Sequence, residues 1–86
     1  MRLTDLKDIL NGYQKIEMFY VKEDEAQYYL GLAMSLPIEL DDLNVEYICA
    51  GQGDCPKYEG QDNILLIDAY DDEALKKIKQ VTEVYN

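Results

Sequence analysis

The residues that could do chemistry in this chain of 86 are few in kind: 18 aspartates and glutamates, two cysteines, one serine and one arginine, with no histidine. A Ser-His-Asp or Cys-His arrangement therefore cannot form within one chain. Cys49 and Cys55 without a histidine fall short of the four nitrogen and sulfur ligands of a structural zinc site. Their spacing is not that of a redox CxxC pair, so Cys49 reads as a small buried hydrophobe of a strand and Cys55 as a loop thiol. Gly51-Gln52-Gly53 precedes no helical pattern, which excludes a phosphate-binding loop. No run of acids has the spacing of an EF-hand, and Asp54 stands apart from Glu59 and Asp62. A glycosidase-type carboxylate pair needs a pocket that a core this small rarely encloses. The expectation is no catalytic residue, no metal and no cofactor.

What remains is charge. The formal balance is −10. Residues 1–73 hold 17 acids and 5 bases, whereas residues 74–86 hold three lysines and Glu83. The acids gather where the chain should turn: Glu23-Asp24-Glu25, Glu39 with Asp41-Asp42, Asp54 to Asp62, and Asp71-Asp72-Glu73. Soluble turns and helix caps account for each cluster singly. They account less well for the total, because so much like charge on a small body repels itself while steering the molecule toward basic surfaces. Direct nucleic-acid binding is disfavoured, since phosphate neutralisation needs a surplus of lysine and arginine. No apolar run approaches the roughly 20 residues of a membrane span, and MRLTDLKDIL lacks the apolar stretch of a signal peptide. A cytoplasmic location is expected.

The positioning elements follow from periodicity. Leu6, Ile9, Leu10 and Tyr13 recur at helical spacing, with Thr4 as a candidate N-cap and Asn11-Gly12 as the stop. Lys15 to Lys22 and Tyr28 to Met34 read as strands of a hairpin around an acidic tip, Glu23 to Ala26. Gly31 suggests a bulge or a close approach. Pro37 breaks the pattern, and Ile38 to Leu43 reads as a turn or one helical turn. Val45 to Ala50 and Ile64 to Tyr70 are the third and fourth strands, separated by a long polar loop from Gly51 to Asn63. Asp71 or Asp72 caps a second helix near residues 72–84, whose apolar face is Ala74, Leu75, Ile78, Val81 and Tyr85. The expected fold is one α+β domain: a four-stranded, mainly antiparallel sheet with a short N-terminal helix and a C-terminal helix covering one face. Of the eight tyrosines, adjacent Tyr28 and Tyr29 must point to opposite faces, which leaves one of them exposed.

The layout resembles small acidic accessory proteins of Gram-positive phages and mobile elements. The matching segments are Leu6 to Leu10, Lys15 to Val21, Tyr28 to Leu32, Leu36-Pro37-Ile38-Glu39-Leu40, Val45 to Ile48 and Ile64 to Ile67. The Gly51 to Asn63 loop has no counterpart in that pattern. The resemblance implies an inhibitor of host defence nucleases, with an anti-CRISPR protein as the concrete case, that presents carboxylates where DNA phosphates would sit.

Charge, the lack of catalytic groups and an exposed tyrosine together predict a non-enzymatic protein that binds a basic, nucleic-acid-binding surface of a partner such as a defence nuclease. The candidate contacts are Glu23, Asp24, Glu25, Tyr28, Asp41, Asp42, Asp71 and Asp72. The alternative is a structural or regulatory adaptor that homodimerises or binds a protein through a sheet edge. Catalysis survives only as part of a composite site completed by another chain. The cysteine reading has its own check: mass spectrometry of freshly folded, unreduced protein should find both thiols free, and a quantitative Cys49–Cys55 bridge would reject it.

Overall fold

In the computed structural model, which describes residues 1–85 and the side chains of residues 1–80, the expected α+β fold is present. A short helix, α1 (Leu3–Lys7), precedes strands β1 (Lys15–Lys22) and β2 (Glu25–Leu32). Strands β3 (Asn44–Gly51) and β4 (Ile64–Tyr70) follow, and helix α2 (Asp72–Tyr85) comes last. The sheet order is β2-β1-β4-β3. The two outer pairs are antiparallel, and the central pair, β1 with β4, is parallel.

Alternation sorts the strands into two faces. Ile16 and Met18 of β1, Ile67 and Ala69 of β4 and Val45 of β3 point to one side and are buried. Above them lie Leu3 and Leu6 of α1 and the connection from β2 to β3, which must cross the sheet from one edge to the other. That connection carries two short 3₁₀ turns, Ala33–Ser35 and Ile38–Leu40, and buries Ala33, Leu36, Leu40 and Leu43. The apolar spacing of 36, 40 and 43 is helical although Pro37 prevents a continuous helix. The segment read from sequence as a turn, 38–43, thus supplies Leu40 and Leu43 to the covering layer.

Several expectations need correction. Helix α1 ends at Lys7, before Ile9 and Tyr13, both 74% exposed. Its first residue is preceded by Arg2, not capped by Thr4, and Arg2 N–H donates to the Asp5 carboxylate at 3.0 Å. Strand β2 begins at Glu25, so the hairpin tip is only Glu23-Asp24, both at positive φ (53° and 64°). A two-residue hairpin loop of the I′ kind demands this, although glycine or asparagine would adopt it more cheaply. Gly31 marks no bulge. The Tyr29 ring lies over it, so close that an added Cβ would stand 2.8 Å from the phenol oxygen. The bulge is instead at Glu46: Val45 pairs with Ala69, but Tyr47 pairs with Asp68. It sends Tyr47 and Cys49 to the face opposite Val45, where simple alternation had put all three together.

Of the described side chains of helix α2, residues 72–80, only Ala74 is buried. Val81 and Tyr85, expected on its apolar face, lie outside the residues whose side chains are described. Among the described residues no helix is long and apolar enough to cross a membrane. The helix is set by its N-terminus. The Asp71 carboxylate accepts from Ala74 N–H at 2.8 Å and from Glu23 N–H at 2.8 Å, closing the helix start onto the hairpin tip. These two bonds, Ala74 first, hold the Asp71 carboxyl below its ordinary value.

A group depressed in this way stabilises the fold fully above its unfolded value near 4, and the effect is lost as pH falls through the lower folded value. Asp71→Ala should therefore cost about 1–2 kcal/mol at neutral pH. In denaturant titrations across pH, the gap between variant and parent should close once the pH drops well below about 4.

Candidate functional site

The parallel pairing of β1 with β4 puts the ends of both strands, Lys22 and Tyr70, at the same end of the sheet. β3, antiparallel to β4, starts there, with Asn44 opposite Tyr70. The hairpin tip, the turn before β3 and the start of α2 consequently meet, and with them three of the four acidic clusters. Glu23, Asp24, Glu25, Glu39, Asp41, Asp42, Asp71, Asp72 and Glu73 share this end with Arg2, Lys7, Lys22 and Lys77.

The candidate acids there have unequal duties. Asp71 caps α2. Asp72 receives the Asn44 amide at 2.8 Å and the Arg2 guanidinium at 3.1 Å; these partners, Asn44 first, hold its carboxyl below the ordinary range. Asp41 pairs with Lys7 at 2.6 Å, both side chains about three-quarters buried. Asp24 pairs with Lys77 at 2.8 Å, which raises the lysine above its ordinary value. Arg2 also donates to the Asp42 carbonyl, and Lys22 to the Glu39 carbonyl at 2.6 Å, so these cations meet backbone and leave the carboxylates of Asp42 and Glu39 outward. Exposed Glu23, Glu25, Glu39 and Asp42 are the acids presented to solvent without a cationic side-chain partner.

Tyr28 is not at this end. It lies on the open face of the sheet in a row across four strands, Tyr28, Phe19, Asp68 and Tyr47. Tyr28 packs on Phe19 with ring centroids 5.4 Å apart, and Tyr70 meets Phe19 edge-on at 6.3 Å. Tyr29, on the core side, donates its hydroxyl to the Leu32 carbonyl at 2.7 Å. Burial, and then the charge of Asp68 and Glu46, raises the Tyr70 phenol above its usual value.

The next row on the open face holds Leu30, Glu17, Leu66 and Cys49. Glu17 is 7% exposed and carries the buried charge of the described residues. Its carboxylate accepts from the backbone N–H groups of Asp54 (3.0 Å) and Cys55 (2.7 Å), which pins the long β3–β4 loop onto the sheet. The loop is shaped for this. Gly53 sits so close to the Tyr58 backbone that a Cβ would collide with it, and Tyr58 is buried with Lys15 and Lys57 over its ring at 5.9 and 5.5 Å. Burial and the nearby Glu17 charge push the Cys55 thiol up, so it is no activated nucleophile. Both cysteines are free, and among the described residues no group of acids and cysteines is arranged to hold a metal ion.

The pinned loop closes one side of a groove of about 540 Å³ on the open face. Its walls are Phe19, Tyr28, Tyr47, Leu66 and Pro56, and its acids are Glu17, Asp54 and Asp68. The sequence reading missed Glu17, Tyr47 and Asp68. The available signals were an acid between apolar Ile16 and Met18 and a lone acid inside ILLIDAY, while the bulge that brings Tyr47 to Asp68 left none. Compared with known proteins, the chain matches no family model, no curated protein and no solved structure.

The Glu17 tether yields a local test. Glu17→Ala should speed hydrogen exchange at the amides of Asp54 and Cys55 and lower stability by about 1–3 kcal/mol, the range for hydrogen bonds to a charged group. Unchanged exchange at those two amides would mean that the loop is held instead by buried Tyr58 and by the bonds of Lys57 to the Leu30 carbonyl and of Lys15 to Gln61.

Proposed function

We propose that the chain is a non-enzymatic binding protein whose acidic end docks on the basic, nucleic-acid-binding surface of another protein and so competes with nucleic acid for it. A defence nuclease is the partner class in view. The observation that carries this reading is the convergence of three separate acidic clusters at one end of the sheet, with Glu23, Glu25, Glu39 and Asp42 facing solvent. Carboxylates on a rigid frame offer lysine and arginine what backbone phosphates offer them, and charge at this density accelerates encounter. The frame at Glu23 and Asp24 is kept in a left-handed conformation that aspartate tolerates and glutamate disfavours, with Asp71 holding Glu23 N–H and Lys77 holding Asp24. Within the candidate set, Asp24, Asp41, Asp71 and Asp72 build the frame, and Glu23, Glu25 and Asp42 make the contact, joined by Glu39.

The test uses the contact acids and spares the frame. The immobilised chain is exposed to bacterial lysate at about 0.1 M salt, where charges reach about 10 Å, and again at about 1 M, where they reach about 3 Å. Retained proteins should be nucleic-acid-binding, should leave at high salt and should be displaced by added duplex DNA. The variant Glu23→Lys, Glu25→Lys, Asp42→Lys should retain none of them. Exposed substitutions of this kind shift stability by less than about 0.5 kcal/mol each, so melting of the variant should stay near the parent's. A partner that survives both the variant and high salt would transfer the reading to a sheet edge.

A further inference from the structure

The acidic end leaves the groove on the open face of the sheet unexplained. Two exposed rings, Tyr28 (60%) and Tyr47 (54%), rise on either side of the Phe19–Asp68 pair, and the loop residue Pro56 closes the third side. The three carboxylates differ. Glu17 is occupied by the loop amides, whereas Asp68 and Asp54 have no hydrogen-bond or ion-pair partner among the described residues. Asp68 is half-buried on a central strand, between Phe19 on β1 and Tyr47 on β3. No lysine or arginine lines the groove. Its size is that of a small-ligand cleft, about 300–1,000 Å³.

Aromatic faces beside unpaired carboxylates, with no cation of their own, complement a flat organic cation. A metal ion would need three or more ligating groups converging, which the described residues do not offer. An ammonium would meet a single carboxylate as a point charge. A guanidinium would stack on one ring and donate two parallel N–H bonds to a carboxylate.

We propose that this groove is an arginine-binding site, seating one arginine side chain of a protein partner against the Tyr47 ring, with neighbouring Asp68 as its counter-ion, Asp54 at the rim and the packed Tyr28 and Phe19 rings as the far wall. The inference takes only the basic character of the partner from the reading above; its chemistry is independent of the acidic end.

The test is an amide NMR titration of the folded chain with a blocked pentapeptide of glycines around a central arginine, run beside the same peptide with lysine or with neutral citrulline. The arginine peptide should shift the amides of Phe19, Tyr28, Tyr47 and Leu66 to Asp68 saturably. Lysine should bind several-fold more weakly, and citrulline should not bind. Asp68→Asn, which keeps the side chain's shape, should weaken arginine binding about fivefold or more, as loss of the charged partner requires. Tyr47→Ala, at an exposed position on the edge strand, should weaken it too. The variant Glu23→Lys, Glu25→Lys, Asp42→Lys should leave these shifts in place, so failure of the groove and failure of the acidic end are read separately. The proposal is overturned if the shifts fall only on residues of the acidic end, if Asp68→Asn binds as the parent does, or if citrulline binds as arginine does. It is also overturned if the same amides move with protein concentration alone, which would assign the face to a second copy of the chain.

Discussion

The parallel pairing of β1 with β4 is the constraint on which the remaining arrangement depends. Two neighbouring strands that run the same way cannot be joined by a tight turn, so everything between them must go elsewhere and return. β2 folds back along the outer edge of β1 and β3 reaches the outer edge of β4. The connection between these two edges is obliged to cross a face, and its leucines make that face the core. The same pairing makes both central strands end together, which is why acids far apart in the chain become neighbours in space.

Covering one face leaves the other to be dealt with. Here it is served by a single loop, whose start is held down by one carboxylate. Glu17 occupies a strand position whose neighbours on either side, Ile16 and Met18, are fully buried. A buried charge is tolerated only when its acceptors are filled, and two backbone N–H groups fill them. The loop therefore has a fixed address on the sheet, and the space beside it is a groove with defined walls. Its position beside Tyr28 brings one member of the candidate contact set, separated from the acids of the end, into a second environment.

Much of this was legible in the residues. The four strands announced themselves by alternation, and β4 by its apolar run; the α2 start was marked by Asp71 before a helical stripe. The acidic clusters were plain, yet their meeting was not, because it depends on strand order, which periodicity does not encode. Pro37 hid the covering role of Leu36, Leu40 and Leu43 by suggesting a break where the chain makes two short turns. Ile9 and Tyr13 matched a helical stripe, but the chain leaves α1 after Lys7 and turns toward β1. The Glu46 bulge had no herald at all, and one extra residue there decided the face of Tyr47 and Cys49.

The sheet is open at its sides. β2 is an outer strand over its whole length, while β3 is sheltered only at its start, where Arg2 and Met1 pair with Asn44 and Val45. Such strands are templates on which a further chain can extend the ladder unless something deters it. Mutual repulsion between molecules of charge −10 is a deterrent of long reach against that outcome. The acids thus act on copies of the chain, and they do so only while ionised. In a buffer near the sequence isoelectric point, about 4.1, that repulsion falls away while the unpaired strand edges remain, a condition that favours association between copies.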